Sequence, residues 1–154
     1  MPYRLSIEAA GFLTLLLGAW AGVVGYVAPA FSFSADGTAS WTWNLAHSLL
    51  LLVPGAAAFL AGLMIMVEGL SRGPARRMLL GVGGLLAAVC GAWLVVGPFA
   101  WRVLEGAAFF MSGASPLREL AYWIGYSLGP GGLLLALGAF VLGRPHGSGR
   151  TDEI

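Results

Sequence analysis

Gly18-Ala19-Trp20 and Gly91-Ala92-Trp93 are the same tripeptide, each set deep inside a long apolar segment. Reading outward from the pair extends the match. Val23 stands opposite Val96 and Tyr26 opposite Phe99, all offset by 73 residues. Further along, Pro54-Gly55 with Gly62 answers Pro130-Gly131 with Gly138, now offset by 76. The change in offset places a net insertion of three residues between the two landmarks. The pattern is that of one two-helix hairpin, written twice.

Composition identifies the solvent. Of the 154 residues, 58% are hydrophobic and only 10% are charged, too few to cover the surface of a soluble domain of this length. The apolar residues fall in four runs, and a bilayer core needs about 20 apolar residues per helix. The expected spans are 7–31, 43–67, 78–101 and 120–143. The expected fold class is an all-α membrane protein, with four transmembrane helices as two duplicated hairpins in a four-helix bundle. Residues 1–143 form the membrane domain, with repeats at about 7–68 and 78–143, and 144–154 form a cytoplasmic tail. The first run is too long for a signal-peptide core and reads as a retained span.

The eight basic residues, all arginine, set the orientation. Arg72, Arg76 and Arg77 crowd the short loop after span two, and short arginine-rich loops stay in the cytoplasm. The loop 32–42 carries Asp36 and no arginine, and it is bracketed by Phe31, Phe33, Trp41 and Trp43. Aromatic rings prefer the headgroup level, so this bracket marks the outer surface. The expected location is the inner (plasma) membrane, multi-pass, with both termini cytoplasmic. Both hairpins then run out and back in the same sense, a relation about an axis along the membrane normal. A short interfacial helix is expected over 103–111.

Helix packing in lipid relies on small residues that let backbones approach. Gly18, Gly22 and Gly91 are the expected packing positions. Pro54 and Pro130 lie within spans two and four, where each removes a backbone bond and kinks the helix. A neighbouring helix must then satisfy the freed carbonyl.

The stretch Gly91-Ala-Trp-Leu-Val-Val-Gly-Pro-Phe99 resembles the signature of the SPW-repeat membrane proteins, in which a Gly-x-Trp run leads to Ser-Pro-Trp near the end of a span. Gly97-Pro98-Phe99 stands where that tripeptide belongs, and Val24-Gly25-Tyr26 holds the place in the first copy. The resemblance covers most of residues 11 to 143. It implies a small prokaryotic membrane protein with two repeats and four spans, and it carries over no catalytic residue.

Chemistry-bearing residues are few. His47 lies one turn into span two, beside Asn44 and Ser48. With Trp20, Trp93, Trp123 and Tyr126 at a similar level, these residues could line an outward-facing pocket for a quinone, haem or lipid. The competing expectation is plainer. His47 is a neutral imidazole, shallow enough to reach headgroups or water, and Trp20 and Trp93 are symmetric core wedges. No phosphate-binding loop, metal-ligating motif or nucleophile elbow is present, and no catalytic or metal-binding residue or cofactor is assigned. Cys90 is alone, so it forms no internal disulfide. A net charge of +1 gives no reason to expect nucleic acid as a partner. The expected partners are the lipid bilayer and either further copies of the chain or a larger membrane complex. The expected function is non-catalytic, structural or assembly work through helix packing. The alternatives are an accessory or anchor subunit holding a quinone, haem or lipid near His47, and an oligomeric pore or transporter.

Overall fold

The computed structural model describes the backbone of residues 2–70, 74–106 and 115–144, and the side chains of 7–68, 74–106 and 115–144. Among these there is no strand. Four helices carry the fold: α1 (Pro2–Val27), α2 (Leu45–Met66), α3 (Pro74–Glu105) and α4 (Pro116–Leu142). A 3-10 turn over Ala28–Phe31 extends α1, and another over Val67–Leu70 follows α2. All four are long and apolar enough to cross a membrane.

α1 packs most closely on α2, and α3 on α4. The α2–α3 and α1–α4 contacts close the ring. Two buried clusters fill its axis. The one nearer the 32–42 loop holds Val24, Leu50, Leu51, Leu94, Tyr126 and Leu134. The one at the opposite end holds Ile7, Ala10, Ile65, Leu80 and Val141.

Glycine sets the spacing inside each hairpin. A Cβ added to Gly18 would sit 2.3 Å from the Phe59 amide nitrogen, and one on Gly55 would sit 2.3 Å from that of Gly22. In the second hairpin, a Cβ on Gly91 would lie 2.5 Å from the Leu135 nitrogen, and one on Gly138 2.6 Å from the Ala88 nitrogen. The expected packing role of Gly18 and Gly91 is met by backbone-on-backbone contact. Gly22 differs, since a Cβ there meets nothing nearer than 3.8 Å. It is Gly55, not Gly22, that needs to be glycine at that crossing.

Proline shapes α2 and α4 in a form more specific than a kink. Each helix widens into a π turn just before its proline, over Ser48–Leu52 and over Trp123–Leu128. The cause is the missing amide and the clash of the pyrrolidine ring with the carbonyl four residues back. In α2 the Val53 amide donates to Ser48 O, five residues back; in α4 the Gly129 amide donates to Ile124 O. Pro98 lies inside α3 and is buried, and the helix continues through it to Glu105.

That continuation corrects one expectation. Residues 103–105 prolong α3 rather than opening a separate interfacial helix. Residues 107–111 of that stretch, Arg72 and residues 145–154 lie outside the described residues. The helices also start earlier than hydropathy suggests, α3 at Pro74 and α4 at Pro116, where a fixed φ favours the first turn.

Candidate functional site

The loop 32–42 leaves α1, crosses the end of the bundle and returns to α2. Phe33 reaches the second hairpin, its ring centroid 4.9 Å from that of Tyr122 and 5.5 Å from that of Tyr126. The Tyr126 hydroxyl donates to Phe33 O at 2.5 Å, and Arg118 Nη2 donates to Ser32 O at 3.0 Å. Ala35, a residue of the loop itself, is buried. The Trp41 amide donates back to Tyr26 O at 2.9 Å.

His47 sits under this loop at 1% exposure, with Nε2 3.0 Å from Asp36 Oδ2. The expectation that its ring reaches headgroups or water is therefore corrected. Asp36 folds back on Thr38, accepting from its amide at 3.1 Å and its hydroxyl at 2.7 Å. Burial by itself raises the Asp36 carboxyl. The hydrogen bonds from His47 and Thr38, with the charge of His47, outweigh it and hold the group well below the usual carboxylate range. One signal of this partner is local: Asp36 is the only charged residue in the sequence between spans one and two, followed at once by Gly37.

Asn44 is the N-cap of α2. Its Oδ1 accepts from the His47 amide at 2.6 Å, as an N-cap side chain should. Ser48 Oγ donates to Asn44 O at 2.9 Å and lies 3.2 Å from the Tyr26 hydroxyl. The Tyr26 ring stands edge-on to His47 at 5.6 Å. His47, Asn44, Ser48 and Tyr126 are thus brought to one end of the bundle, each held by the protein itself.

The tryptophans are placed elsewhere. Trp123 stacks on Phe99 at 4.8 Å. Trp20 and Trp93 are not core wedges, being 47% and 44% exposed. Their indole N–H groups work across the hairpins instead. Trp20 Nε1 donates to Gly125 O at 2.9 Å, and Trp93 Nε1 donates to Leu49 O at 3.1 Å. Both acceptors belong to the π turns. With Val53 bonded to Ser48 and Pro54 lacking an amide, Leu49 O has no donor on its own helix at four or five residues. Gly129 and Pro130 leave Gly125 O in the same position.

A third case involves Pro98. Its missing amide frees Leu94 O four residues back, and Ser127 Oγ of α4 donates to that carbonyl at 2.6 Å. An unpaired carbonyl in an apolar interior costs several kcal/mol on the order of 2–7, so these donors make the prolines tolerable.

Glu68 is buried and forms a two-pronged ion pair with Arg76. A groove of about 340 Å³ runs along the outside of α1 and α2, lined by Gly18, Gly22, Val23, Leu52, Gly55 and Phe59 among others. Among the described residues, no three of His, Cys, Asp and Glu gather as a metal site would require.

The chain matches no protein-family model, no curated protein and no solved structure.

Proposed function

We propose that this is a non-catalytic integral membrane protein, a duplicated pair of helical hairpins that crosses the inner membrane four times and works by helix packing with further copies of itself or with a larger membrane assembly. Both termini lie in the cytoplasm in this reading. Its kinship to the SPW-repeat proteins belongs to the same proposal, resting on the residues around Gly91 to Phe99.

Duplication is supported by contacts that recur at the two sequence offsets. Trp20 and Trp93 are 73 residues apart, while their acceptors Gly125 and Leu49 are 76 apart. Gly18 against Phe59 and Gly91 against Leu135 repeat at the same two offsets, and the two π turns before proline end at Leu52 and Leu128, at the second of them. Membrane placement is supported by the four apolar helices and by the ring of outward-facing apolar side chains, Phe12, Leu16, Leu60, Leu85, Val89 and Leu133 among them. In water such a surface would aggregate.

The assembly reading is carried by the open groove. The second hairpin has Val95 at the position where the first has Gly22. Because a Cβ fits at Gly22, the helix crossing does not require glycine there, and its absence leaves an apolar cleft on the lipid-facing side. Gly22→Val would fill the groove without separating α1 from α2. Size measurement in mild detergent, with affinity purification from native membranes, tests the reading. The parent should run as an assembly or bring a membrane partner, and Gly22→Val should lose it. A parent that is monomeric and partner-free, or an assembly indifferent to Gly22→Val, would overturn the proposal.

A further inference from the structure

We infer that the loop 32–42 is a strap that latches the outer end of the bundle shut, with Asp36–His47 as its pin. The loop belongs to the first hairpin by sequence, yet its middle is seated on the second. Phe33 packs on Tyr122 and Tyr126, and its carbonyl takes the Tyr126 hydroxyl. The loop's tip is tied to its own hairpin by Asp36, whose Oδ2 lies 3.0 Å from His47 Nε2.

The backbone at both ends of the strap is strained in the closed state. Ser32 has φ 59° and Trp41 φ 61°, the left-handed region that non-glycine residues avoid. These positions flank the seated segment, so relaxing them swings it as a unit. Strain of this kind persists where surrounding contacts over-determine it. Here the pin, the Tyr126 bond and the seat of Phe33 and Ala35 do so. Lifting the strap would uncover Ala35, the Tyr126 hydroxyl and the His47 ring together.

The two halves of the chain differ at this point. The second-hairpin counterparts of Tyr26 and His47, at the 73 and 76 offsets, are Phe99 and Trp123, which stack on one another. In the second hairpin the equivalent place is taken by a stack of two aromatic rings. In the first it is taken by a charged loop residue on a buried imidazole. A device present in one half and replaced in the other is not a requirement of the helical packing.

The test uses the full chain with Cys90→Ser and Ala35→Cys, in mild detergent, and reads the rate of labelling by a water-soluble maleimide. It does not depend on the groove or on any partner. With the pin intact, position 35 should react far more slowly than an exposed Ala39→Cys control. Asp36→Asn and His47→Gln should each raise the rate about tenfold or more, since either breaks the charge-assisted contact between the loop and α2. The double variant should go no further, both having removed one tie. Should a variant lose helical content, Thr38→Val, which removes a bond to Asp36 without touching the bundle, should give a smaller rise. Parent labelling as fast as the exposed control would overturn the latch, as would variants that label no faster than the parent.

Discussion

The indole N–H of Trp93 donates to the carbonyl of Leu49, and that carbonyl is one that Pro54 and its π turn have left without a backbone donor. Trp20 does the same for Gly125 ahead of Pro130. Each hairpin therefore supplies the hydrogen bond that the other hairpin's proline took away. Ser127 completes the set at Leu94, across from Pro98. Pro54 and Pro130 widen their helices, and the carbonyls they free tie the two hairpins together, while the Ser127 bond to Leu94 stays within the second hairpin.

A double-mutant cycle measures that tie. Trp93→Phe should destabilise the bundle by about 0.5–2 kcal/mol, the range of interhelical side-chain bonds in membranes. In a Pro54→Ala background the amide at 54 returns and the helix can satisfy its own carbonyls. The cost of Trp93→Phe should then shrink by more than half. Reversible unfolding in mixed detergent micelles reads both. Equal costs in the two backgrounds would mean that the indole bond is incidental.

Glycine substitutions should separate by position rather than by spacing. Gly55→Ala puts a methyl 2.3 Å from a backbone nitrogen and 2.5 Å from a Cα. It must push α1 and α2 apart, at a cost of about 1–3 kcal/mol or more for overpacking. Gly22→Ala meets only ordinary contact distances and should be neutral within about 0.5 kcal/mol. The same unfolding assay checks the pair, and equal losses would contradict the crossing geometry.

The buried Glu68 should make its two partners unequal. Arg76→Met leaves a carboxylate buried alone, and breaking such a pair costs about 3–5 kcal/mol. Glu68→Gln keeps an acceptor for Arg76, which is itself partly exposed, and should cost clearly less. A larger loss from Glu68→Gln than from Arg76→Met would reverse this assignment.

Acid should loosen the strap, with a definite sign. The folded Asp36 carboxyl is held below its unfolded value, so its contribution is complete above about pH 4 and fades as pH falls towards the depressed folded value. The groups around it are His47 on α2, Ser34 and Thr38 in the loop, and Tyr126 on α4. Amide exchange at Trp41, corrected for its intrinsic pH dependence, should accelerate between pH 4 and 2. Asp36→Asn should abolish that acid response. Protection that stays constant or rises on acidification would contradict the pin.

Much of the architecture was legible in the chain, because hydropathy and helix length are local properties. Four apolar runs gave four helices, and Gly18 and Gly91 lie at close crossings as their spacing suggests. Gly22 makes no backbone-on-backbone contact within its hairpin, since small-residue spacing marks a helix face but not which member of the face bears that contact. The repeated tripeptide predicts Trp20 in the core, yet it is half exposed, because its bond partner lies 105 residues away and no local pattern encodes it. His47 was placed at the right end but in the wrong surroundings. Its burial depends on a polar loop folding over the bundle, and a loop rich in serine, threonine and glycine reads as solvent-facing. Asp36 was missed as a partner for the same reason.

Sidedness tests the central claim most directly. Single cysteines in Cys90→Ser protein, labelled in intact spheroplasts with a membrane-impermeant maleimide, report which side each connection occupies. Ala39→Cys and Ser115→Cys should label from outside, while Ala75→Cys and Gly143→Cys should label only after the membrane is permeabilised. Labelling of positions 39 and 115 from opposite sides would contradict two like-oriented hairpins in one bilayer, as would labelling of all four from outside.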